Sequence, residues 1–272
     1  MSRKVQIAPV GFEYDRIIEG VIHHPCNIIY LLKSYKKLTN ESDPDKNMIE
    51  IAKRYVDNLQ NHFKNSRICT PIVIETILIQ LEPIIEELCR IISKEIDEYQ
   101  ADEIWINIST STKLFVGAAM YVGSFKHDLV KLFYIDASHY TVNDLFNPEI
   151  EKKEIREKYE NYGITYREND ESYTNIDVPV YPTEVLTDIK KKILKALRML
   201  TMGNKNKMIT FMNLLRELDQ DPHDKTIKMK YGHHIKALKA RNFINEKIHG
   251  KQKKFGLTPE GQILGLILTY FG

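Results

Sequence analysis

Residues able to do chemistry gather in one turn and in one basic stretch. The turn lies in Ile104-Trp105-Ile106-Asn107-Ile108-Ser109-Thr110-Ser111-Thr112-Lys113-Leu114-Phe115-Val116-Gly117-Ala118-Ala119-Met120, where an apolar, β-branched run meets four small hydroxyl residues, then a lysine, then a small-residue apolar run at helical spacing. This pattern predicts a buried parallel strand that feeds a helix through a tight polar turn. In an open α/β sheet ligands bind outside the carboxyl ends of the strands. Hydroxyls, the free N–H groups of a helix start and one cation suit a phosphate or another anion there. The plainer alternative is a capped strand–helix turn with a solvated lysine. Other chemistry-bearing types are scattered. His139 follows a predicted strand and is of the right type for acid–base work, although such a histidine is often structural. His23-His24 and His233-His234 are adjacent in sequence, so on a helix they face apart and cannot chelate one ion together. Cys26, Cys69 and Cys89 are odd in number and far apart, which fits neither a disulfide framework nor a zinc knuckle. They read as small hydrophobes, and Trp105 reads as core. No metal and no cofactor are expected.

The positioning elements follow from periodicity. Val5–Gly11 reads as a strand stopped at glycine, Phe12–Ile22 as a helix, and Asn27–Leu32 as a strand. After a polar loop at Thr39–Lys46 come a helix at Asn47–Phe63, a strand at Ile68–Ile74, and a helix at Ile77–Ile96 that Pro83 starts late or kinks. The central strand and its helix follow, then a strand at Leu129–Asp136. This alternation predicts a mainly parallel, doubly wound sheet. No G-x-G-x-x-G follows the first strand, which argues against a conventional dinucleotide oxidoreductase. Asn147–Tyr162 reads as a charged helix, and Tyr162–Val180 as a polar connection with weak strand character.

Charge divides the chain. Residues 183–272 hold 18 Lys and Arg against 8 Asp and Glu, about +10, whereas residues 1–182 hold the other 21 against 29, about −8. The division falls at the proline-bearing segment Val178–Thr183, taken as the domain boundary. An acidic body joined to a basic third points to nucleic acid at the C-terminal part. There the periodicity predicts helices at Val185–Leu200 and Lys207–Leu218 and a third after the loop Asp219–Lys225. Strands at Phe243–Ile248 and Lys254–Thr258 flank a basic hairpin, and a helix runs from Pro259 to Leu268. Three helices, a lysine-tipped hairpin and a helix make a winged helix-turn-helix. Its third helix is expected to present Lys228, Lys230, Tyr231, His233, Lys236 and Lys239 to the major groove of double-stranded DNA. The wing is expected to set Lys251, Lys253 and Lys254 on phosphates or in the minor groove. A winged helix used only for protein contacts or dimerisation is the alternative. No apolar run approaches a membrane span and no signal peptide is visible, so a cytoplasmic protein is expected. The many Ile, Lys and Glu are a compositional hint of thermophily.

Taken together, the chain resembles the archaeal CARF (CRISPR-associated Rossmann fold) winged-helix proteins, of the transcriptional-regulator type. The resemblance covers nearly the whole chain and rests on Ala8-Pro9-Val10-Gly11-Phe12-Glu13-Tyr14-Asp15-Arg16 and on Asn107-Ile108-Ser109-Thr110-Ser111-Thr112-Lys113. It implies a Rossmann-like ligand-sensing and dimerisation domain over 1–182 and a winged helix-turn-helix over 183–272. It also implies that the two turns line a pocket on the two-fold axis of a homodimer, which binds a cyclic oligoadenylate, usually the four-adenosine ring. The implied ligand-binding residues are Val10, Gly11, Phe12, Asp15 and Arg16 on one turn, and Ser109, Thr110, Ser111, Thr112 and Lys113 on the other. Two functions follow. One is a ligand-responsive DNA-binding regulator linked to CRISPR antiviral defence. The other is a metal-independent ring nuclease, in which Lys113 would offset developing charge, Ser109 or Thr112 would position the ring, and His139 would be the acid or base.

Overall fold

The structure is a computed structural model that describes all residues except 1, 35–45, 111, 138, 145–149, 167–172, 181–185, 205–206, 250–251 and 272. The predicted Thr39–Lys46 loop therefore lies almost wholly outside the described residues, as do Ser111 and Lys251. The chain divides into two compact units, Met1–Pro182 and Thr183–Gly272.

In the first unit, strands and helices alternate: β1 (Lys4–Val10), α1 (Asp15–His23), β2 (Ile28–Ser34), α2 (Lys46–Ser66), β3 (Thr70–Thr76), α3 (Leu81–Asp97), β4 (Glu103–Asn107), α4 (Lys113–Phe125) and β5 (Val130–Asp136). Then come β6 (His139–Tyr140), α5 (Thr141–Asp144), α6 (Lys152–Tyr162), β7 (Thr165–Tyr166) and β8 (Thr174–Val178). The six-stranded sheet has the order β3-β2-β1-β4-β5-β8. Its first five strands are parallel and β8 runs antiparallel to β5, so the sheet is Rossmann-like and mainly parallel. Helices cover both faces and bury β1 from Val5 to Val10 on both sides, including the polar Gln6, whose Nε2 donates to the Gly20 carbonyl at 3.0 Å. Strand alternation shows the two layers directly. Phe133 points to Gly20 of α1, whereas its neighbour Leu132 points to Gly123 of α4. On the α1 side, Ala8, Val10, Ile29 and Leu31 pack with Ile17, Val21 and the α2 residues Tyr55, Leu59 and Phe63.

Two boundaries differ from the expected ones, and α3 starts late, at Leu81, as Pro83 suggests. Helix α1 starts at Asp15 rather than Phe12, because Glu13 is drawn into a β-bridge with Gly163. The polar connection after α6 holds two real strands, of which β8 completes the sheet edge. Helix α3 tolerates Pro83 because it is the third helical residue, in a first turn whose N–H groups have no intrahelical partner.

The second unit runs α7 (Asp188–Thr201), β9 (Ile209–Thr210), α8 (Phe211–Glu217), α9 (Lys225–Ala240), β10 (Ile244–His249), β11 (Gln252–Leu257) and α10 (Pro259–Phe271). Its sheet has the order β10-β11-β9. Residues Ile209–Thr210 pair with Phe255 and Lys254 and so leave the helix predicted from Lys207, which begins instead at Phe211. Thr210 caps it by accepting from the Asn213 amide. Asp224 caps α9 in the same way, through the Thr226 and Ile227 amides. The β10–β11 ladder pairs His249 with Gln252, so both strands run further toward the tip than predicted. This order is compatible with a winged helix-turn-helix. Among the described residues no helix is long and apolar enough to cross a membrane.

Candidate functional site

Strand order reverses between β1 and β4, so the turns after these strands meet at the switch point of the sheet, where open α/β folds form a crevice. The two turns touch. A methyl group on Gly11 would lie 2.9 Å from the Thr110 carbonyl oxygen, so glycine permits this approach.

A buried polar frame holds the turns in register. Asn107 ends β4 with its side chain fully buried; Nδ2 donates to the Arg16 carbonyl at 3.1 Å, and Oδ1 accepts from the Ser109 amide at 2.9 Å. Ser109 Oγ accepts from the Ile135 amide at 2.6 Å, and Thr110 Oγ1 donates to the Pro9 carbonyl. Both residues are only 6% exposed, so these two predicted ligand residues sit in the frame that joins β1, β4 and β5. Val10 is likewise core. Asn107, whose polarity at the end of an apolar run was the available signal, has a larger positioning role than the sequence reading gave it.

Arg16 is 2% exposed and also belongs to the frame. Its Nε donates to the Ile135 carbonyl at 2.6 Å, its Nη1 pairs with Glu13 Oε2 at 2.6 Å, and its guanidinium lies 4.6 Å over the Tyr134 ring. Burial pushes the Arg16 pKa down, but Glu13 and Tyr134 outweigh it and the net shift is upward. Burial raises the Glu13 carboxyl and Arg16 opposes that rise. Nη2 is buried with no hydrogen-bond partner among the described residues. Burial and then Tyr134 push the nearby Tyr140 phenol up to about 12, so it is neutral.

The remaining predicted residues lie nearer the surface. Gly11, Phe12 and Asp15 are half-buried, whereas Thr112 and Lys113 are exposed. Thr112 caps α4, with Oγ1 accepting from the Phe115 amide at 3.3 Å, and Lys113 is the first helical residue. A capped helix start bearing a cation therefore opens beside the crevice, an arrangement suited to an anion.

Two further groups flank the first turn. Gly163 has φ +94° and bridges Glu13, and the Ile164 amide donates to the Phe12 carbonyl at 2.8 Å. The ribbon β6–β7 adjoins this segment, since the Thr141 amide donates to the Ile164 carbonyl. On β6, His139 Nε2 lies 2.9 Å from Oδ1 of the buried Asp144, and Lys158 is 3.6 Å from Oδ2.

In the second unit, Lys230, His233, Lys236 and Lys239 are exposed on α9, and Lys228 is half-buried. Tyr231 is not among the exposed residues. It is 6% exposed and packs inward with Ile235 and Leu238, because positions 231, 235 and 238 share one helical face. Lys253 and Lys254 are adjacent on β11 and so face opposite sides of the hairpin.

Fold and site together define a Rossmann-like α/β protein with an anion-suited crevice at its switch point, joined to a basic helical unit. Residues 4–140 match the family model described as "HFX_2341_N:-like, N-terminal", and the chain belongs to that family. No curated protein matches the sequence. Among solved structures the chain is similar to Csm6 of Enterococcus italicus bound to cyclic hexa-2'-fluoro-hexa-dAMP, with a TM-score of 0.45 and 11% identity, covering 89% of this chain and 57% of that one. It is also similar to Can2 of Sulfobacillus thermosulfidooxidans in complex with cyclic tetra-adenylate (TM-score 0.33, 13% identity, 97% and 61% covered). A third is protein VC1899 of Vibrio cholerae (0.35, 10%, 98% and 66%). The chain thus spans less than two thirds of the length of each.

Proposed function

We propose that this chain is a ligand-responsive DNA-binding regulator of the CARF type, linked to CRISPR defence. Its switch-point crevice would take a cyclic oligoadenylate, with cyclic tetra-adenylate as the first candidate. The observation that carries the reading is the meeting of the two turns beside the capped, lysine-bearing start of α4. Lys113 and the first α4 amides are the phosphate contacts, and Gly11 lets backbone approach the ring.

A homodimer is part of the reading. Leu114 and Met120 on α4 are each 44% exposed, and among the described residues nothing lies within 4 Å of a methyl group placed on Gly117 between them. A second copy of this chain seated there would bring two turn pairs to one ring of matching symmetry. The basic α9 and the β10–β11 wing support double-stranded DNA as the second partner.

His139 paired with buried Asp144, on the ribbon bonded to the first turn, favours one second reading: a ring nuclease with His139 as acid or base. One experiment addresses both. Calorimetric titration with cyclic tetra-adenylate is expected to give one ring per dimer, and Lys113→Ala is expected to weaken it about tenfold or more through loss of a charged phosphate partner. A linear product recovered from the cell supports the nuclease. No heat from a folded dimer overturns the tetra-adenylate reading.

A further inference from the structure

Register on the hairpin separates two faces. Ile244 opposite Leu257, Glu246 opposite Phe255 and Ile248 opposite Lys253 share one face, while Lys247 and Lys254 share the other. The first face is core at its root, where Ile244, Leu257 and Phe255 are buried. Beyond the root it faces α8 and α9 across a groove of about 960 Å³. Phe211, Ile235 and Phe255 form the floor of this groove, and Arg216, Lys236, Lys239 and Lys253 form its cationic rim. Glu246 is the one carboxylate among the described lining residues.

That carboxylate is placed against the rim. Oε2 accepts from Lys239 Nζ of α9 at 2.6 Å, and Oε1 lies 3.0 Å from Lys253 Nζ of β11, with the Glu246 side chain only 13% exposed. Each carboxylate oxygen takes a different lysine, one from the helix and one from the wing. Lys239 first, and then Lys253, hold the Glu246 carboxyl below its usual range, so it is ionised at neutral pH. Lysine ammonium meets carboxylate and phosphate by the same point-charge chemistry. A phosphodiester entering the groove would therefore compete with Glu246 for two of the four cations.

We propose that Glu246 sets the sequence-independent affinity of this unit for DNA, by occupying between α9 and the hairpin the place a backbone phosphate would take. The proposal rests on the DNA-binding reading above and adds its regulation. Phosphate contacts supply affinity without sequence information, and non-specific sites compete with any specific one. A carboxylate that neutralises part of the rim lowers binding everywhere, so that discrimination falls to exposed α9 residues outside the rim, such as Lys230 and His233. Lys236 and Arg216, which have no ion pair to Glu246, remain for the backbone.

The test uses the full chain and a 30-base-pair duplex of random sequence, with fluorescence anisotropy across a salt series. Glu246→Gln is expected to tighten binding roughly fivefold or more near 0.1 M salt and to steepen the slope of log K against log salt by about one to two, for one or two lysines released to phosphate. Lys239→Gln/Lys253→Gln, which leaves Glu246 in place, tests the idea from the other side and is expected to change the wild-type slope by less than roughly half a unit. Thermal melts establish that each variant folds. If wild type binds and Glu246→Gln matches it, or if the double lysine variant loses about two units of slope, the role of Glu246 is overturned while DNA binding stands. If neither wild type nor any variant binds the duplex at low salt, both readings fall.

Discussion

At Gly163 a methyl group would sit 1.8 Å from the Phe12 carbonyl oxygen, and the backbone already has φ +94°. Both facts require glycine, and both act on the first turn, since Gly163 bridges Glu13 and the next amide donates to Phe12. Gly163→Ala is expected to cost about 2 kcal/mol or more, because the strained conformation alone costs of order 1–3 kcal/mol and the clash adds to it. A thermal melt checks the loss, and a variant as stable as wild type would show that the bridge does not hold the turn. The sequence displayed the hydroxyl cluster Ser109–Thr112 but not which way each member points. Ser109 and Thr110 turn inward to bond Ile135 and Pro9, whereas Thr112 caps α4 at the surface. A run of small hydroxyl residues reads the same whether it caps, braces or binds, because only tertiary partners distinguish the three. Tyr231 shows the converse, since lysines surround it in sequence while its helical phase points it at the core.

Among elements, β1 and β2 were readily legible, because burial on both faces leaves Val5–Val10, Gln6 apart, and Ile28–Leu32 almost wholly apolar. Strand β8 was not, since an edge strand half open to solvent carries polar residues such as Asn175 and Asp177. The two-residue strand β9 was hidden inside a helical pattern, since pairing with β11 overrides local periodicity. Helix α4 carries the sharpest element-scale expectation. Its inner side, Phe115, Ala118, Ala119 and Val122, is buried, while Leu114 and Met120 remain exposed, so the helix is apolar on both sides. The proposed homodimer would cover that side with a second copy. Met120→Glu would put an unpaired charge into such an interface, at a cost above about 1.4 kcal/mol and hence at least tenfold in dimer affinity. Light scattering after gel filtration is expected to show the mass falling from two chains toward one. An unchanged dimer would move the interface to another surface.

At the scale of the whole molecule, an acidic unit with an anion-suited crevice is joined to a basic unit with a lysine-rimmed groove. If these are a sensor and its output, ring binding and DNA binding must share a free energy. That requires the ring to favour one arrangement of the dimer and DNA to distinguish the same two arrangements. Linkage then makes a demand no single-site experiment can imitate. Whatever factor saturating cyclic tetra-adenylate applies to the duplex Kd, expected between about 5 and 150, saturating duplex must apply the same factor to the ring Kd. Anisotropy of a labelled duplex measures one side and calorimetry of the ring measures the other. Equal factors establish the coupling whichever its sign, and the sign says whether the ring recruits the protein to DNA or releases it. In Lys113→Ala both factors are expected to fall toward one together, because taking the cation from the crevice removes the ring's preference between states. Two ligands that bind without altering each other would mean two independent activities on one chain, and the charge division would then reflect solubility and phosphate affinity rather than signalling.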